Sequence, residues 1–444
     1  MPILPIDTGR YGTPEMRCIF KEETRVQKML DVEAALALAH AQVGNIPLED
    51  AEKIAATASL KHIKLARIKA IEKEIKHDIA SLVRALAEAC GSSGAYVHLG
   101  ATSYDIVDTA NALQLKDAVG VIEKKLFRLK SILQAKITQY KSTVMMGRTH
   151  GQHALPITLG FKFAVWVCEI SRHLQRLNDC SNRVLVGKMS GAVGTQASLG
   201  EHAQRIQELV MERLGLHPAD ISTQIVQRDR YAELVCLLAL IATSMDNFAN
   251  EIRELQRPEI GELFESFEAE KQVGSSTMPH KRNPETCERV CGLARIARSL
   301  VIPALENVVT WHERDLTQSS AERFIFPEAC ILVDYLLHLI SKIVSNLRVD
   351  EQRMLRNIDL TQGRALSEAV MMALTRKDVD RQEAHELLRK LTIRSEIERR
   401  PFKEILLDDK LVRSKLSKPE IDAALDPKNY LGTAIAQAES FGKP

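Results

Sequence analysis

Most of the sequence consists of long segments in which apolar residues recur with the period of an α-helix. Between residues 106 and 144, Ala110, Leu113, Val121 and Leu129 fall on one face of such a helix. The same pattern covers the segments 15–45, 49–90, 157–186, 200–215, 229–256, 285–301 and 326–347. Aromatic residues, which favour strands, make up only 5% of the chain. The sequence therefore predicts an all-α protein with an extended bundle of long helices.

The chain has 444 residues, which is too long for one simple core. The pattern predicts three helical domains: an N-terminal domain (1–104), a central long-helix bundle (105–355) and a C-terminal domain (356–444). In the central domain the stretch from Tyr231 to Phe248 is apolar nearly all round, so it must be covered on all sides. We therefore expect a homo-oligomer whose multi-helix core includes this bundle.

Charge and composition argue against several kinds of partner. The net charge is only +2, which gives no global field for nucleic acid or membrane. The N-terminal residues contain no apolar targeting segment, and the longest apolar run, Leu234 to Ala242, is far shorter than a membrane span. The sequence lacks a phosphate loop, and no G-x-G-x-x-G follows a strand. We expect a cytoplasmic protein that binds neither nucleic acid nor membrane.

The cysteine and histidine spacings do not complete a metal site. The eight cysteines are scattered, mostly through apolar helical segments, as is typical of reduced core thiols. Cys287 and Cys291 would share one helix face, and His150 and His153 stand three positions apart, but neither pair has further ligands at zinc spacing. We expect no metal and no other cofactor.

The loop from Gly274 to Pro284 combines helix-breaking residues with functional side chains. Its glycine and two prolines prevent a regular helix, while both flanks have helical periodicity. It carries hydroxyls, an imidazole, two cations and an amide. A polar connector is the ordinary interpretation of such a loop. The concentration of reactive groups on one loop between helices favours a catalytic role instead.

Four other polar segments stand out, and each also has a plain structural interpretation. Lys76-His77-Asp78 falls within the helical stripe of Ile71, Ile75 and Ile79, pointing away from it, and could be a solvated patch. Ser103 or Asp105 in the segment 98–105 could cap the following helix. The segment 147–156 holds His150 between long helices, where an imidazole suits proton transfer or could stabilise a turn. The stretch 311–323 could be a charged surface between two helices.

Taken in order, these motifs resemble those of the aspartase/fumarase superfamily. The matching segments are His98-x-Gly-x-Thr102-Ser103, Gly147-Arg-Thr-His150-Gly-Gln-His, Lys188-Met-Ser-Gly-Ala-Val-Gly and the loop 274–284. Within the superfamily the chain is most similar to the adenylosuccinate lyase family. That finer match rests on Arg10-Tyr11, Lys76-His77-Asp78, the Thr-His-Gly-Gln-His motif and Lys281-Arg282-Asn283-Pro284. The resemblance covers roughly residues 8 to 435, and Thr277 is its one small departure, at a position where alanine is more usual.

The resemblance implies a cofactor-free lyase that eliminates fumarate from succinyl adducts. Its substrates would be adenylosuccinate, which gives AMP, and the succinylated imidazole-carboxamide ribotide (SAICAR) of purine synthesis. It also implies a homotetramer whose active sites combine residues from three chains. Two alternatives remain: a sister lyase acting on another adduct such as argininosuccinate, or a catalytically inert structural protein on the same fold.

The resemblance assigns roles to individual residues. Ser275 is the implied base, although its neighbour Ser276 remains open, and Lys281 and the following helix N-terminus would stabilise the alkoxide. His150 is the implied general acid, with His77 as its helper. The implied substrate-binding residues are Arg10, Tyr11, Lys76, His77, Asp78, Thr102, Ser103, Thr149, Gln224, Ser276, Lys281, Asn283, Arg289, Arg314, Ser319 and Arg323.

Overall fold

The computed structural model describes residues 3–266 and 277–443. Helices account for 68% of the described residues, which confirms the all-α prediction. The α-helices are α1 (Pro14–Ile19), α2 (Glu22–Gln42), α3 (Leu48–Thr57), α4 (Leu65–Ile75), α5 (Asp78–Cys90), α6 (Ser103–Tyr140), α7 (Leu159–Val184), α8 (Ala203–Leu214), α9 (Asp229–Gln256), α10 (Glu285–Ser299), α11 (Val301–Glu306), α12 (Thr317–Ser345), α13 (Glu351–Asp359), α14 (Ser367–Thr375), α15 (Arg381–Glu398), α16 (Phe402–Asp408), α17 (Lys410–Lys415), α18 (Lys418–Ala424) and α19 (Ala434–Phe441). Short 3-10 helices cover Gly91–Tyr96, Ala197–Leu199, Arg364–Leu366 and Pro427–Tyr430.

The strands form three small two-stranded sheets. The antiparallel pairs are β1 (Val144–Thr149) with β2 (Gln152–Thr158) and β5 (Leu263–Phe264) with β6 (Arg348–Val349), and the parallel pair is β3 (Val186–Gly187) with β4 (His217–Pro218). The β1–β2 hairpin occupies the segment that the sequence suggested was an irregular break between helices.

The long helices lie close to their predicted positions, with one informative exception. α9 spans the predicted range, whereas α12 begins at Thr317, nine positions before the predicted start at 326. Pro327 stands inside α12, although proline usually ends a helix. Gln318, Glu322 and Ile325 are buried along one face of the early turns, so packing of that face sustains the helix across the proline.

The chain divides into two compact units. The first contains the residues up to 126 together with 173–245 and 292–338, and the second contains 127–172, 246–291 and the residues from 339 onward. In the first unit, helices α2, α3, α5 and α8 enclose a core that includes the fully buried Leu30, Ile54 and Leu86. In the second, α14 to α18 enclose another core around Val370, Phe402 and Ile405. The three-domain division stays a prediction.

Two helices are long and apolar enough to cross a membrane by length and composition alone. They are α9 and α12. The most apolar 18-residue stretch is 67% buried inside the protein in α9 and 72% buried in α12. Burial of this extent is typical of core helices. Most of the apolar surface of α9 is thus already covered within one chain, although Leu240 remains 44% exposed.

Candidate active site

A cleft of about 530 Å³ in the first unit gathers many of the predicted site residues. It is bounded by the junction of α4 and α5 and by the first turns of α6 and α12. The predicted residues that line it are Lys76, His77, Asp78, Ser103, Arg314, Ser319 and Arg323. These residues are far apart in the sequence, so the fold itself brings them together.

A break between two helices presents the Lys76-His77-Asp78 motif to the cleft. The apolar stripe of Ile71, Ile75 and Ile79 suggested one continuous helix, but α4 ends at Ile75 and α5 begins at Asp78. Lys76 adopts a left-handed conformation with φ of 55°. His77 is the N-cap of α5, and its Nδ1 accepts a hydrogen bond from the Ala80 N–H at 3.2 Å. The neutral ring therefore carries its proton on Nε2, which remains available to a ligand.

Ser319 and Arg323 lie one turn apart near the start of α12, so both side chains face the same cleft. The sequence placed them in a polar stretch between two helices, and the earlier start of α12 corrects that expectation. Arg323 donates from Nη2 to Asp78 Oδ2 at 2.9 Å. This ion pair connects α12 to the first residue of α5.

Arg314 is fixed by an aromatic ring and by an amide. Its guanidinium carbon lies 3.6 Å from the centre of the Tyr104 ring, within the range of a cation–π interaction. Its Nη1 donates to Gln224 Oε1 at 2.8 Å, and Gln224 Nε2 donates to the carbonyl of Ala192 at 2.9 Å. Gln224 is thus joined to the cleft through Arg314.

The glycine-containing segment after β3 is held by a buried carboxylate at the start of α6. Asp105 accepts hydrogen bonds from the backbone N–H groups of Thr102, Ser190 and Gly191 at 2.8, 2.9 and 3.1 Å. It also forms an ion pair with Lys188, and both side chains are completely buried. Asp105 therefore orders Thr102 and the Lys188 motif, which gives that motif a structural role.

His150 lies at the turn of the β1–β2 hairpin in the second unit. His150 and Gly151 have φ of 53° and 73°, the pattern of a type I′ turn. A register shift after Met146 falls at Gly147, where a Cβ would approach the Leu155 carbonyl to 2.7 Å. Thr149 and His150 are exposed at the hairpin tip. The sequence predicted a histidine in a break between helices here but not the strands that carry it.

The same hairpin is anchored near its turn by a buried acid. Arg148 donates to both oxygens of Glu262 at 2.9 and 2.7 Å, and Asn357 Nδ2 donates to Glu262 Oε1 at 2.7 Å. Burial and then the Arg148 charge lower the pKa of His153. His153 therefore favours the neutral state, and its side chain is less accessible than that of the exposed His150.

The proposed bases Ser275 and Ser276 lie outside the described residues. The part of the loop that is described also belongs to the second unit, with Lys281 exposed and Asn283 half-buried. α10 begins at Glu285 and carries Arg289 in its second turn. The N–H groups of Thr286 and Cys287 donate to Glu265 at 3.1 and 2.9 Å. The sequence analysis predicted that this helix N-terminus would help to stabilise the serine alkoxide. In the structure the Glu265 carboxylate already binds it.

Arg10 and Tyr11 lie on the N-terminal arm and are not among the residues lining the cleft. The Tyr11 ring lies 6.0 Å from that of Tyr335, and Thr13 Oγ1 donates to Asp334 Oδ2 at 2.6 Å. Both contacts attach the end of the arm to α12, whereas Arg10 is exposed.

Arg25 and Tyr104 line the cleft, and the sequence analysis predicted neither as a site residue. Tyr104 lies within the Thr102–Asp105 motif, and that position could have identified it as a candidate site residue. Arg25 occurs in an ordinary amphipathic helix and gives no local signal.

The described residues offer no group of three or more histidine, cysteine or acidic side chains placed to hold a metal. Cys287 and Cys291 are buried on α10, and burial raises the pKa of both thiols. They therefore remain protonated and act as core residues.

Comparison with known proteins agrees with this geometry. A family model described as lyase matches residues 9–298, and one described as adenylosuccinate lyase C-terminus matches residues 363–441. The chain is 50% identical to the adenylosuccinate lyase of Methanocaldococcus jannaschii, covering 98% of this chain and 94% of that protein. It is 52% identical to the adenylosuccinate lyase of Pyrococcus abyssi, covering 98% and 96%.

Solved structures show the same architecture. A fumarate lyase from Mesorhizobium sp. BNC1 superimposes with a TM-score of 0.91 at 32% identity, covering 99% of each chain. The 3-carboxy-cis,cis-muconate lactonizing enzyme of Pseudomonas putida gives a TM-score of 0.89 at 36% identity, covering 99% of this chain and 98% of that one. The chain belongs to the adenylosuccinate lyase family, a family of carbon–nitrogen lyases.

Proposed function

We propose that the protein cleaves adenylosuccinate to AMP and fumarate, and SAICAR to its carboxamide product and fumarate, by general acid–base catalysis. The observation that carries this proposal is the cleft that places Ser319 and Arg323 beside Lys76, His77 and Asp78. A lyase acting on argininosuccinate, which has no phosphate, would not require that serine–arginine pair. An inert homologue would not need Ser275, His150 and Lys281, all of which the chain retains.

The reaction requires a base and a set of fixed positive groups. The base removes a proton from the carbon beta to the leaving nitrogen, and the resulting charge spreads into the adjacent carboxylate. Ser275 is the proposed base, with Ser276 as the alternative. Lys281 stabilises the serine alkoxide and, with Asn283, holds the succinyl carboxylates. Because Glu265 occupies the N-terminus of α10, Lys281 provides most of this positive charge.

The carbon–nitrogen bond then breaks, its electrons pass to the nitrogen, and His150 gives that nitrogen a proton. The exposed position of His150 at the hairpin tip suits a group that must reach a substrate. His77 assists through Nε2, since its Nδ1 is already engaged as a helix cap. Thr149 and Arg289 complete the proposed contacts in the second unit, and Arg10 and Tyr11 contribute to phosphate binding.

The proposed enzyme is a cytoplasmic homotetramer in which three chains contribute to each site. Apolar side chains exposed around α11 and the following turn support this assembly. Ile302, Val309 and Trp311 are 68%, 72% and 76% exposed. Several exposed apolar side chains within one short segment favour an interface there. Light scattering on the purified protein should give the mass of four 49.7-kDa chains, and a monomeric mass would contradict the assembly.

An ultraviolet assay with adenylosuccinate and argininosuccinate as separate substrates tests the reaction. We expect AMP and fumarate from the first and no turnover of the second. Turnover of argininosuccinate alone would overturn the proposal. Ser275→Ala and Ser276→Ala, compared at equal folding, identify the base: its loss should reduce turnover at least about 100-fold, the contribution of one positioned acid or base.

A further inference from the structure

Arg25 on α2 lies in the same cleft as the proposed phosphate contacts. Three adjoining cavities of about 530, 230 and 180 Å³ are each lined by both Arg25 and Arg323. Ser319 lines the two larger cavities. Arg25 is therefore close to the serine–arginine pair, although nothing in the sequence motifs indicated it.

In the part of the chain that the structure describes, Arg25 has no carboxylate of its own as an ion-pair partner. Within residues 3–266 and 277–443 its guanidinium has no ion pair or hydrogen bond, although the side chain is only partly accessible. Asp78 and Glu22 attract it, but Asp78 is paired with Arg323 at 2.9 Å and Glu22 with Lys69 at 2.6 Å. Burial and then the Arg323 charge lower the pKa of Arg25. A cation in this position is stabilised by an incoming anion.

The charge of the whole cleft fits a doubly charged anion. Its lining contains four cationic side chains and two carboxylates, which leaves an excess of two positive charges. The cations are Arg25, Lys76, Arg314 and Arg323, and the carboxylates are Glu72 and Asp78. A phosphate monoester carries about 1.5 to 2 negative charges at neutral pH. Guanidinium groups bind phosphate oxygens through paired N–H donors.

We infer that Arg25 is a further substrate-binding residue, which holds the nucleotide phosphate together with Ser319 and Arg323. This inference rests on the proposed function, since that function supplies the phosphate. Asp78 keeps Arg323 oriented in the empty cleft, and Arg25 supplies the guanidinium that is still free to bind.

The test compares Arg25→Met with Arg205→Met. Methionine keeps an unbranched side chain without the charge, and Arg205 is an exposed arginine of the same unit that pairs with Glu208 at 2.9 Å. Arg25→Met should raise the KM for adenylosuccinate about 10- to 100-fold, as expected for a lost charge-assisted hydrogen bond. The ligand-free thermal midpoint should stay the same or rise, because an uncompensated charge is removed. Arg205→Met should keep the wild-type KM.

Inhibition by AMP and by adenosine shows whether the lost contact is with phosphate. Arg25→Met should weaken inhibition by AMP about 10- to 100-fold and leave inhibition by adenosine unchanged. Equal losses for both inhibitors, an unchanged KM, or unfolding of both Arg25→Met and Arg25→Lys would overturn the inference. A wild-type protein without adenylosuccinate turnover would instead overturn the proposed function, and Arg205→Met would then be inactive as well.

Discussion

The guanidinium carbon of Arg314 lies 3.6 Å from the centre of the Tyr104 ring. On the same ring, Arg228 lies at the longer distance of 5.8 Å. Tyr104 is buried. Burial raises its pKa, so the hydroxyl stays protonated. One buried ring thus orients Arg314, one of the proposed substrate contacts.

Tyr104→Leu should raise the KM for adenylosuccinate about 3- to 30-fold, because a cation–π contact is worth roughly 0.5–2 kcal/mol. Tyr104→Phe keeps the ring and should recover most of the loss. Steady-state kinetics of both variants, with thermal midpoints as the folding control, provide the measurement. If phenylalanine were as impaired as leucine, the hydroxyl would be the important group and the ring would not.

The buried pair of Lys188 and Asp105 should be essential for stability. Lys188→Met leaves the Asp105 carboxylate buried without its cation, and breaking a buried pair costs about 3–5 kcal/mol. Chemical denaturation should show a clearly lower midpoint for this variant. Arg67→Met, which breaks an exposed pair with Glu88, is the control and should hardly move the midpoint. Equal effects of the two substitutions would contradict the structural role of Lys188.

The positions of the long helices could be predicted because their apolar period depends on local sequence alone. The same period was misleading at residues 75–78, where Ile75 and Ile79 continue the stripe across a helix break. That break depends on the left-handed Lys76 and on the cap made by His77. Likewise, α12 starts early because tertiary burial of Gln318 and Glu322 outweighs the effect of Pro327.

The site residues could be predicted from the sequence only where they belong to a recognisable motif. Lys76, His77, Asp78, Ser319 and Arg323 were identified by resemblance, and the fold places them in one cleft. Arg25 could not be found in this way, because its significance comes from a neighbour almost 300 positions away. The β1–β2 hairpin was missed since its strands are short and its turn begins with histidine, whereas asparagine or aspartate is usual there.

That turn allows the chemistry of His150 to be separated from its backbone geometry. His150→Asn retains a residue that favours positive φ and removes the imidazole. Turnover should fall at least about 100-fold, the contribution of one positioned acid, with an unchanged thermal midpoint.

Gly151→Ala is the complementary variant. Among the described residues no atom lies within 4 Å of the added Cβ, so we expect its effect to come from the φ of 73°. It should cost about 1–2 kcal/mol of stability. Wild-type turnover in His150→Asn would exclude His150 as the general acid. This conclusion would not depend on the turnover or stability of Gly151→Ala.

A buried cluster beneath the cleft should make stability depend on pH. Arg228 donates to both Asp108 and Glu322, so two carboxylates share one guanidinium. Burial raises the pKa of Glu322 to about 7, with Arg228 opposing and Asp108 reinforcing the shift. Arg314 also attracts the carboxylate, and Tyr104 and Tyr231 are the other titratable neighbours. The folded protein therefore holds a proton on Glu322 at a pH where the unfolded chain has released it.

Glu322→Gln should remove this dependence, because glutamine does not titrate. With its folded pKa raised, Glu322 contributes stability that is complete below its ordinary value of about 4.5 and is lost as pH rises towards about 7. The free energy of unfolding of the wild type, minus that of the variant, should thus fall between pH 5 and pH 8, by on the order of 1–3 kcal/mol. Urea denaturation of both proteins at each pH gives this difference directly. A difference that stays constant or increases with pH would show that Glu322 is ionised throughout and that Arg228 compensates both carboxylates.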